Sequence, residues 1–201
     1  MPRWLTHRHG ISVTPLTQRR GRGADYVLVM FHPYRLADGT QVLIRPIRPD
    51  DKRILSEAFG RLSPESARLR FLGAKSRLTS AELRYLTEVD QADHVALIAV
   101  LAHRPATIVA VARWVRLAEG AGGPDSAEAA IVIGDPWQHQ GLGRHLGLAL
   151  ADTARAAGVR RFTATLLSDN VAAHRLFAAI SARLHYKHHH GVEELVADLA
   201  A

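Results

Sequence analysis

The sequence predicts an α/β fold of the α+β kind, in which helices cover both faces of a mixed, mainly antiparallel central sheet. Three apolar segments, 94–101, 107–116 and 127–133, follow one another with only turn residues between them, as antiparallel strands do. Further along the chain, helical and strand patterns alternate, and a strand–helix–strand order requires a parallel pair. A chain of 201 residues is long enough for one sizeable core.

The first half of the predicted domain contains one strand and three helices. Residues 41–44 alternate apolar and polar side chains and stop before a proline, which cannot continue a ladder. Asp50 is the expected N-cap of a helix through residue 59, and Ser63, followed by proline, starts another through about residue 72. Thr79 and Glu82 have the spacing of a capping box, which predicts a third helix to about residue 88.

The second half alternates between helical and strand patterns. Apolar residues recur at helical spacing from Leu142 to Ala157, and Gly158 is a suitable residue just beyond the end of this helix. Residues 161–167 are predicted to form a strand, and Asn170 is placed to cap an alanine-rich helix after it. Residues 192–199 are predicted to form a terminal strand, and the histidine-rich stretch before them a solvated loop.

The formal net charge of +7 is concentrated near the amino terminus. Residues 1–41 contain six arginines and two aspartates, a balance of +4, so the rest of the chain carries only +3. We therefore predict a basic tail at residues 1–35, either disordered or translated only from about Met30, and a domain at residues 36–201. A basic nucleic-acid-binding protein is an alternative that depends on the net charge alone.

The absence of cysteine limits the chemistry of the chain. It excludes disulfides, thiolate zinc sites and a cysteine-linked acyl-enzyme, and it favours a reducing compartment. No apolar run approaches the roughly 18 residues that a bilayer crossing requires, and the N-terminus lacks the apolar segment of a secretion signal. A cytoplasmic protein without a membrane partner is expected.

The most informative motif is Gln138-His139-Gln140-Gly141-Leu142-Gly143, between an apolar segment and a long helical pattern. A glycine turn that opens a helix directs several backbone N–H groups at one point, with the positive end of the helix dipole behind them. This predicts a diphosphate site, to which His139 and Arg144 would add charge. The P-loop pattern is absent, and the dinucleotide fingerprint fails because Leu146 replaces its last small residue. A tight turn before an ordinary helix is the alternative.

In order and spacing, these residues resemble the Gcn5-related N-acetyltransferase (GNAT) family, whose acyl-coenzyme A motif reads Q-x-x-G-x-G. Gln138, Gly141 and Gly143 match that motif, and Asn170 stands where the family opens its next helix with asparagine. Two upstream segments look like the acetyltransferase domain of bacterial protein-lysine acetyltransferases, namely Arg45-Pro46-Ile47-Arg48-Pro49 and Leu62-Ser63-Pro64-Glu65-Ser66. The resemblance covers about residues 36–200.

The resemblance implies that acetyl-coenzyme A (acetyl-CoA) is a co-substrate and that its acetyl group passes directly to a primary amine, such as a protein lysine. Asn170 would bond the cofactor or only cap its helix. The other residues expected to bind acetyl-CoA are Ile131, Val132 and Ile133 for the pantetheine arm, and Gln138, His139, Gln140, Gly141, Leu142, Gly143 and Arg144 for the diphosphate. A catalytically silent acyl-CoA sensor is a second interpretation, and the protein is expected to be a monomer or homodimer.

Glu128 is the candidate general base, because a lysine amine of pKa about 10.4 must lose a proton before it attacks a thioester. It begins the segment that leads to the glycine turn, and it matches the glutamate of the protein acetyltransferases. Partial burial beside Ile131 and Ile133 would raise its pKa towards neutrality. The alternative is an ordinary solvent-facing residue on an edge strand.

Two further features concern the general acid of the reaction and a metal site. Many family members use a tyrosine as the general acid that protonates the leaving coenzyme A thiolate. Phe177 stands at that position here, so Ser168, a water molecule or no acid at all remain as alternatives for this role. The histidines of residues 185–190 are common metal ligands, but no carboxylate is spaced to complete a shell and acetyl transfer needs no metal. No metal site is therefore expected.

Overall fold

The structure is a computed structural model, and it describes residues 32–118, 123–189 and 191–199. Within these ranges the chain forms a single sheet of eight strands with five α-helices. The strands are β1 (His32–Arg35), β2 (Gln41–Pro46), β3 (His94–Leu101), β4 (Arg104–Arg116), β5 (Ser126–Ile133), β6 (Arg161–Leu167), β7 (Ser181–His189) and β8 (Val192–Leu199). The helices are α1 (Lys52–Gly60), α2 (Pro64–Phe71), α3 (Ser80–Thr87), α4 (Leu142–Ala156) and α5 (Val171–Ile180).

The sheet is mixed and mainly antiparallel, which confirms the predicted fold class. Its strand order is β1-β2-β3-β4-β5-β6-β8-β7. Only the β5–β6 pair is parallel among the described strands, and α4 makes the crossover between them. A parallel pair needs such a long connection because the chain has to return to the same end of the sheet.

Helices cover both faces of the sheet, and each face has its own core. Helices α1, α2 and α3 cover one face, where Phe59 and Leu78 pack against Ile98 and Val111 of the sheet. Helices α4 and α5 cover the other face with a larger core. There the indole Nε1 of the fully buried Trp114 donates to Thr153 Oγ1 of α4 at 2.9 Å. Helix α4 packs on this face because it carries a continuous apolar stripe.

Three local predictions were wrong. Residues 32–35, which were assigned to the tail, form β1 and pair antiparallel with β2, so the sheet begins before the predicted boundary at residue 36. The stretch expected to be a solvated loop forms β7, an edge strand paired along its length with β8. Arg104 and Pro105, which fall between the predicted segments 94–101 and 107–116 and were expected in the turn, lie in β4. Residues 1–31, the rest of the predicted tail, lie outside the described residues.

Asp51, and not the predicted Asp50, is the N-cap residue of α1, although its side chain bonds to residues before the helix. Asp51 is buried, and its carboxylate accepts two hydrogen bonds from the Arg45 guanidinium, at 2.7 and 2.8 Å, and one from the Arg48 N–H at 2.8 Å. Burial alone would raise the pKa of Asp51, but the bonds from Arg45 and Arg48 outweigh it and hold the pKa below the ordinary value of 3.8.

Acid should therefore destabilise this corner of the fold. A carboxyl whose folded-state pKa is lowered stabilises the protein above its unfolded pKa and loses that contribution as the pH falls through the folded value. We expect Asp51→Asn to reduce the free energy of unfolding by about 3 kcal/mol at pH 7 and to flatten its decline below pH 4. Urea unfolding between pH 7 and pH 3 measures this, with the exposed Asp50→Asn as control; parallel curves for Asp51→Asn and the wild type would contradict it.

No helix within the described ranges has the length and apolar character needed to cross a bilayer. The longest of them, α4, presents polar residues along one side.

Candidate active site

Strands β5 and β6 separate and leave a wedge-shaped gap in the sheet. They pair only at Ser126–Glu128 and Arg161–Thr163, whereas β4 stays paired with β5 as far as Ile133. Beyond Glu128, the edge of β5 that faces β6 therefore has no neighbouring strand among the described residues. An exposed strand edge offers main-chain N–H and C=O groups to an extended ligand. The predicted pantetheine residues Ile131, Val132 and Ile133 lie on this edge.

The chain turns sharply between the end of β5 and the start of α4. Gly141 is the N-cap residue of α4 and has φ +84°, in the left-handed region that glycine adopts without strain. Its side chain is a hydrogen atom and caps nothing, whereas α2, α3 and α5 each begin with a side chain that accepts a helical N–H. The first N–H groups of α4 are therefore available to a ligand, with the helix dipole behind them.

A hydrogen-bonded hub holds this turn against α2. Asp135 accepts from Ser63 N at 2.9 Å, from Ser63 Oγ at 2.6 Å and from Ser66 Oγ at 2.8 Å. Burial alone would raise the pKa of Asp135, but these bonds hold it below its ordinary value. Gln138 Nε2 donates to Ser66 Oγ and to Ile133 O, both at 3.0 Å. The motif glutamine thus positions the turn, a role that the spacing of the motif alone did not show.

The other predicted diphosphate residues are arranged around the same turn. His139, with φ 58°, and Arg144 are exposed, and the side chain of Leu142 is fully buried, so Leu142 presents only its backbone. Gln140 Nε2 donates to Pro136 O at 3.0 Å. A Cβ at Gly143 would meet Ile133 at 3.7 Å, an ordinary contact. The structure brings the turn residues together at the end of the gap, while their binding roles remain predictions.

Tyr34 of β1 is an unforeseen neighbour of the turn. A Cβ placed on Gly141 would lie 2.6 Å from the Tyr34 hydroxyl, so this oxygen approaches the backbone at the mouth of α4. The Tyr34 ring stacks on His145 with centroids 4.1 Å apart and planes 13° apart. The contact joins β1 to the start of α4, which are far apart along the chain, so no local motif could have indicated it.

Glu128 lies where β5 and β6 part, but not in the environment that the sequence suggested. It pairs with Val115 of β4 and Thr163 of β6, and its side chain is exposed. Because side chains alternate along a strand, Glu128 shares the α1–α3 face with Ala130 and Val132, opposite Ile131 and Ile133. The expectation of partial burial beside those two isoleucines was therefore wrong. The catalytic role of Glu128 remains a prediction.

The α1–α3 face carries a cavity that reaches Ala130, the next residue of β5 on the same face as Glu128. Its walls are mostly apolar, and its charged lining residues among the described residues are Arg61, Arg70 and Arg113. Arg113 is buried, and it donates to His94 Nε2 at 3.0 Å and to Leu86 O at 3.2 Å. Sequence reasoning missed these arginines because α2 and β4 are far apart along the chain.

The remaining candidates lie towards the far end of the sheet. Asn170 caps α5 by accepting from Ala173 N at 3.1 Å, so its side chain does what the cap alternative foresaw. Phe177, at the family's tyrosine position, is buried in the α4–α5 core. His188 contacts the buried Glu193 at 3.0 Å. Over residues 32–118, 123–189 and 191–199 no cluster of three or more His, Cys, Asp or Glu is suited to a metal. The expectation of no metal stays a prediction.

Comparison with known proteins gives a consistent family. Residues 65–181 match the model described as the acetyltransferase (GNAT) family. The chain is 33% identical over 150 residues to acetyltransferase Pat of Mycolicibacterium smegmatis, covering 75% of this chain and 44% of Pat. It is 32% identical over 147 residues to acetyltransferase PA5475 of Pseudomonas aeruginosa, covering 72% and 76% of the two chains. The chain therefore spans less than half the length of Pat.

A solved structure supports the same assignment. The GNAT domain of S. lividans PAT superposes with a TM-score of 0.75 at 30% identity, covering 83% of this chain and 96% of that one. The matched region includes the gap beside β5, the glycine turn and α4. The chain belongs to the GNAT family of acetyltransferases.

Proposed function

We propose that the protein transfers the acetyl group of acetyl-CoA to a primary amine by direct attack, with both substrates bound together. A lysine side chain of a protein is the first acceptor class to test, because residues 45–49 and 62–66 resemble the acetyltransferase domain of bacterial protein-lysine acetyltransferases. The observation that carries the proposal is the open edge of β5, which runs from Glu128 to an uncapped helix that suits a diphosphate.

Acetyl-CoA would lie along this path from the start of α4 to Glu128. The diphosphate would lie on the N–H groups of Leu142, Gly143 and Arg144, where a helix N-terminus favours anions. The pantetheine arm would follow β5 as an added strand beside Ile131–Ile133. The thioester would then lie near the point where β5 and β6 part, and so near Glu128. Backbone N–H groups on that edge are suited to polarise the thioester carbonyl.

The reaction needs a proton acceptor more than it needs a nucleophilic residue. Deprotonating a lysine amine at neutral pH costs roughly 4 kcal/mol, since its pKa is about 10.4. The Glu128 carboxylate would take this proton from the ammonium group before the neutral amine nitrogen bonds to the acyl carbon, and the second nitrogen proton would pass to solvent as the amide forms. The carbon–sulfur bond then breaks, and the electron pair leaves with the sulfur as coenzyme A thiolate. No cysteine is available to carry the acetyl group, which favours a single direct transfer.

The thiolate has no tyrosine donor at the family position, because Phe177 is buried and carries no hydroxyl. Tyr186 lies on the edge strand β7 and is partly exposed. Burial and the neighbouring Glu193 raise the pKa of Tyr186, which makes it a weaker acid. We therefore infer that solvent protonates the leaving thiolate, which is already a fair leaving group.

Initial-rate kinetics test this order of events. With acetyl-CoA and a lysine-containing peptide both varied, direct transfer predicts intersecting double-reciprocal lines, and parallel lines would contradict it. Because the chain contains no cysteine, a thiol reagent reads only the released coenzyme A. Calorimetry with acetyl-CoA provides the independent binding measurement, and an absence of heat at millimolar ligand would overturn the proposed cofactor site.

A catalytically silent sensor is the second candidate, because the uncapped start of α4 and the open edge of β5 suit the binding of acetyl-CoA equally well without acetyl transfer. It predicts saturable binding of acetyl-CoA and no thiol release with any amine. The nucleic-acid alternative depends on the net charge, whose excess is greatest in residues 1–41. Five of the six arginines of that segment lie in residues 1–31, outside the described residues.

A further inference from the structure

Three arginines, Arg61, Arg70 and Arg113, line the cavity between α1–α3 and the sheet. Among the described residues, neither Arg70 nor Arg113 has an Asp or Glu oxygen within ion-pair distance. Arg113 is 5% exposed, and its donors reach only a neutral carbonyl and an imidazole. A buried charge without a partner is strongly unfavourable, so its retention here needs a reason.

The two cations also destabilise each other. Burial, together with the positive charge of Arg70, lowers the pKa of Arg113 to about 10. Burial likewise lowers the pKa of Arg70, against which the charges of Glu128 and Tyr85 act. The nearby His94 cannot relieve this, because burial and Arg113 both lower its pKa. An anion placed between the two guanidinium groups would remove the repulsion and satisfy their free donors.

The cavity lies on one face of the sheet, away from the edge of β5 that the cofactor would follow. Ala130 and Val132 form part of its floor, and they project from β5 towards α1–α3. The gap that suits the pantetheine arm lies in the plane of the sheet, and the cavity adjoins it at β5 and at residues 134–137, which lead into the glycine turn. Glu128 projects to the same face as Ala130 and is a diagonal neighbour of Arg113 in the β4–β5 register. A molecule in the cavity would therefore place its amine at Glu128 and its remainder on the arginines.

We propose that this cavity, with Arg70 and Arg113, recognises a carboxylate on the amine acceptor, so that the enzyme prefers acceptors carrying both an amine and a carboxylate beside an apolar group. The inference rests on the proposed function. The charges alternate in the required order: the negative Glu128 faces the ammonium group, and the two cations face the carboxylate. Two sources share this chemistry, a free amino acid and a lysine peptide with an acidic neighbour.

Matched pairs of acceptors test the proposal in the full-length protein. L-leucine is compared with isopentylamine and L-phenylalanine with phenethylamine, which lack only the carboxylate. A lysine peptide with a neighbouring glutamate is compared with its glutamine counterpart. Released coenzyme A is read with a thiol reagent. We expect kcat/KM to be about tenfold or more higher for the carboxylated member of at least one pair. The small-molecule and peptide arms show which source supplies the carboxylate.

Arg70→Gln is the decisive variant, because Arg70 makes no hydrogen bond within the described residues and its loss should leave the fold intact. We expect it to remove the preference for the carboxylate while acetyl-CoA affinity stays within about twofold. Arg84→Gln, an exposed arginine on α3 that does not line the cavity, is the matched control and should keep the preference. Arg70→Lys should keep part of it, since a point charge replaces the fork of donors.

Acceptor binding to the coenzyme A-saturated protein, measured by calorimetry, separates this inference from the proposed function. The preference should appear there even without turnover. Equal affinity for both members of every pair, or a preference that survives in Arg70→Gln, would overturn the inference. A carboxylate effect that appears only when succinyl-CoA replaces acetyl-CoA would also overturn it, because the cavity would then read the acyl group. Failure of acetyl-CoA to bind would overturn the proposed function instead.

Discussion

Glu128→Gln is expected to reduce kcat by about a hundredfold or more while acetyl-CoA affinity changes little. General-base catalysis contributes roughly two to four orders of magnitude, and the amide keeps the size of the carboxylate but cannot accept the amine proton. Glu128 lies at the parting of β5 and β6 with an exposed side chain, so the change should not disturb the core. Thiol release gives kcat, and calorimetry gives the dissociation constant.

The control for this variant is Glu194→Gln, which changes an exposed strand glutamate on β8. It should leave both quantities unchanged. Unchanged turnover in Glu128→Gln would remove Glu128 from the mechanism. A joint loss of turnover and acetyl-CoA affinity would instead indicate that Glu128 supports the shape of the cofactor site.

Gly141→Ala should weaken acetyl-CoA binding at least tenfold and lower the free energy of unfolding by about 1–2 kcal/mol. Two effects combine. The φ of +84° is unfavourable for any L-residue, and the new Cβ would lie 2.6 Å from the Tyr34 hydroxyl, closer than real contacts allow. The turn must move, and the N–H groups at the start of α4 then lose their common direction. Calorimetry and urea unfolding measure the two quantities.

Gly158→Ala separates strain from the collision. Gly158 has a similar φ of +80°, but nothing lies within 4 Å of its would-be Cβ. It should lose a similar stability and keep full acetyl-CoA affinity. Adding Tyr34→Phe to Gly141→Ala should recover part of the binding, since the next ring atom is 3.9 Å away. Equal losses of acetyl-CoA affinity in Gly141→Ala and Gly158→Ala would show that the geometry of the glycine turn at the start of α4 does not determine cofactor binding.

The elements that the sequence predicted best are those whose own residues determine them. Strands β3, β6 and β8 have the predicted bounds because their apolar and β-branched residues face a buried core. The capping box of α3 formed because Thr79 and Glu82 need only each other. The cap at Ser63 is equally local, with Ser63 Oγ accepting from Ser66 N. Short-range chemistry of this kind is fully contained in the sequence.

The missed strands are both at edges of the sheet. Strand β7 contains Arg183, His185 and Lys187, polar residues that an edge strand tolerates because one side has no neighbour. Its pairing with β8, and that of β1 with β2, is supplied by the partner strand and not by a pattern within the segment. Tertiary context therefore overrides local propensity at both ends of the sheet.

The candidate site was predicted in part for the same reason. The glycine turn was readable because its residues are consecutive, and the structure places them together at the start of α4. Tyr34, Asp135 with its serine partners, and the arginine pair depend on contacts between distant elements. The environment of Glu128 was misjudged although alternation along a strand places residues 128 and 131 on opposite faces.

The short parallel join between β5 and β6 has a mechanical consequence. It divides the sheet into two half-sheets, β1–β5 and β6–β8–β7, which share main-chain bonds only at Ser126–Glu128 and Arg161–Thr163 in the described structure. Helix α4 packs on β3, β4, β5 and α5, and it restrains the motion of the two half-sheets relative to each other. A thioester ligand that is hydrogen-bonded along β5 would fill the gap between β5 and β6 and further restrict the relative motion of the two half-sheets. Saturation with it should therefore slow amide hydrogen exchange in both half-sheets at once.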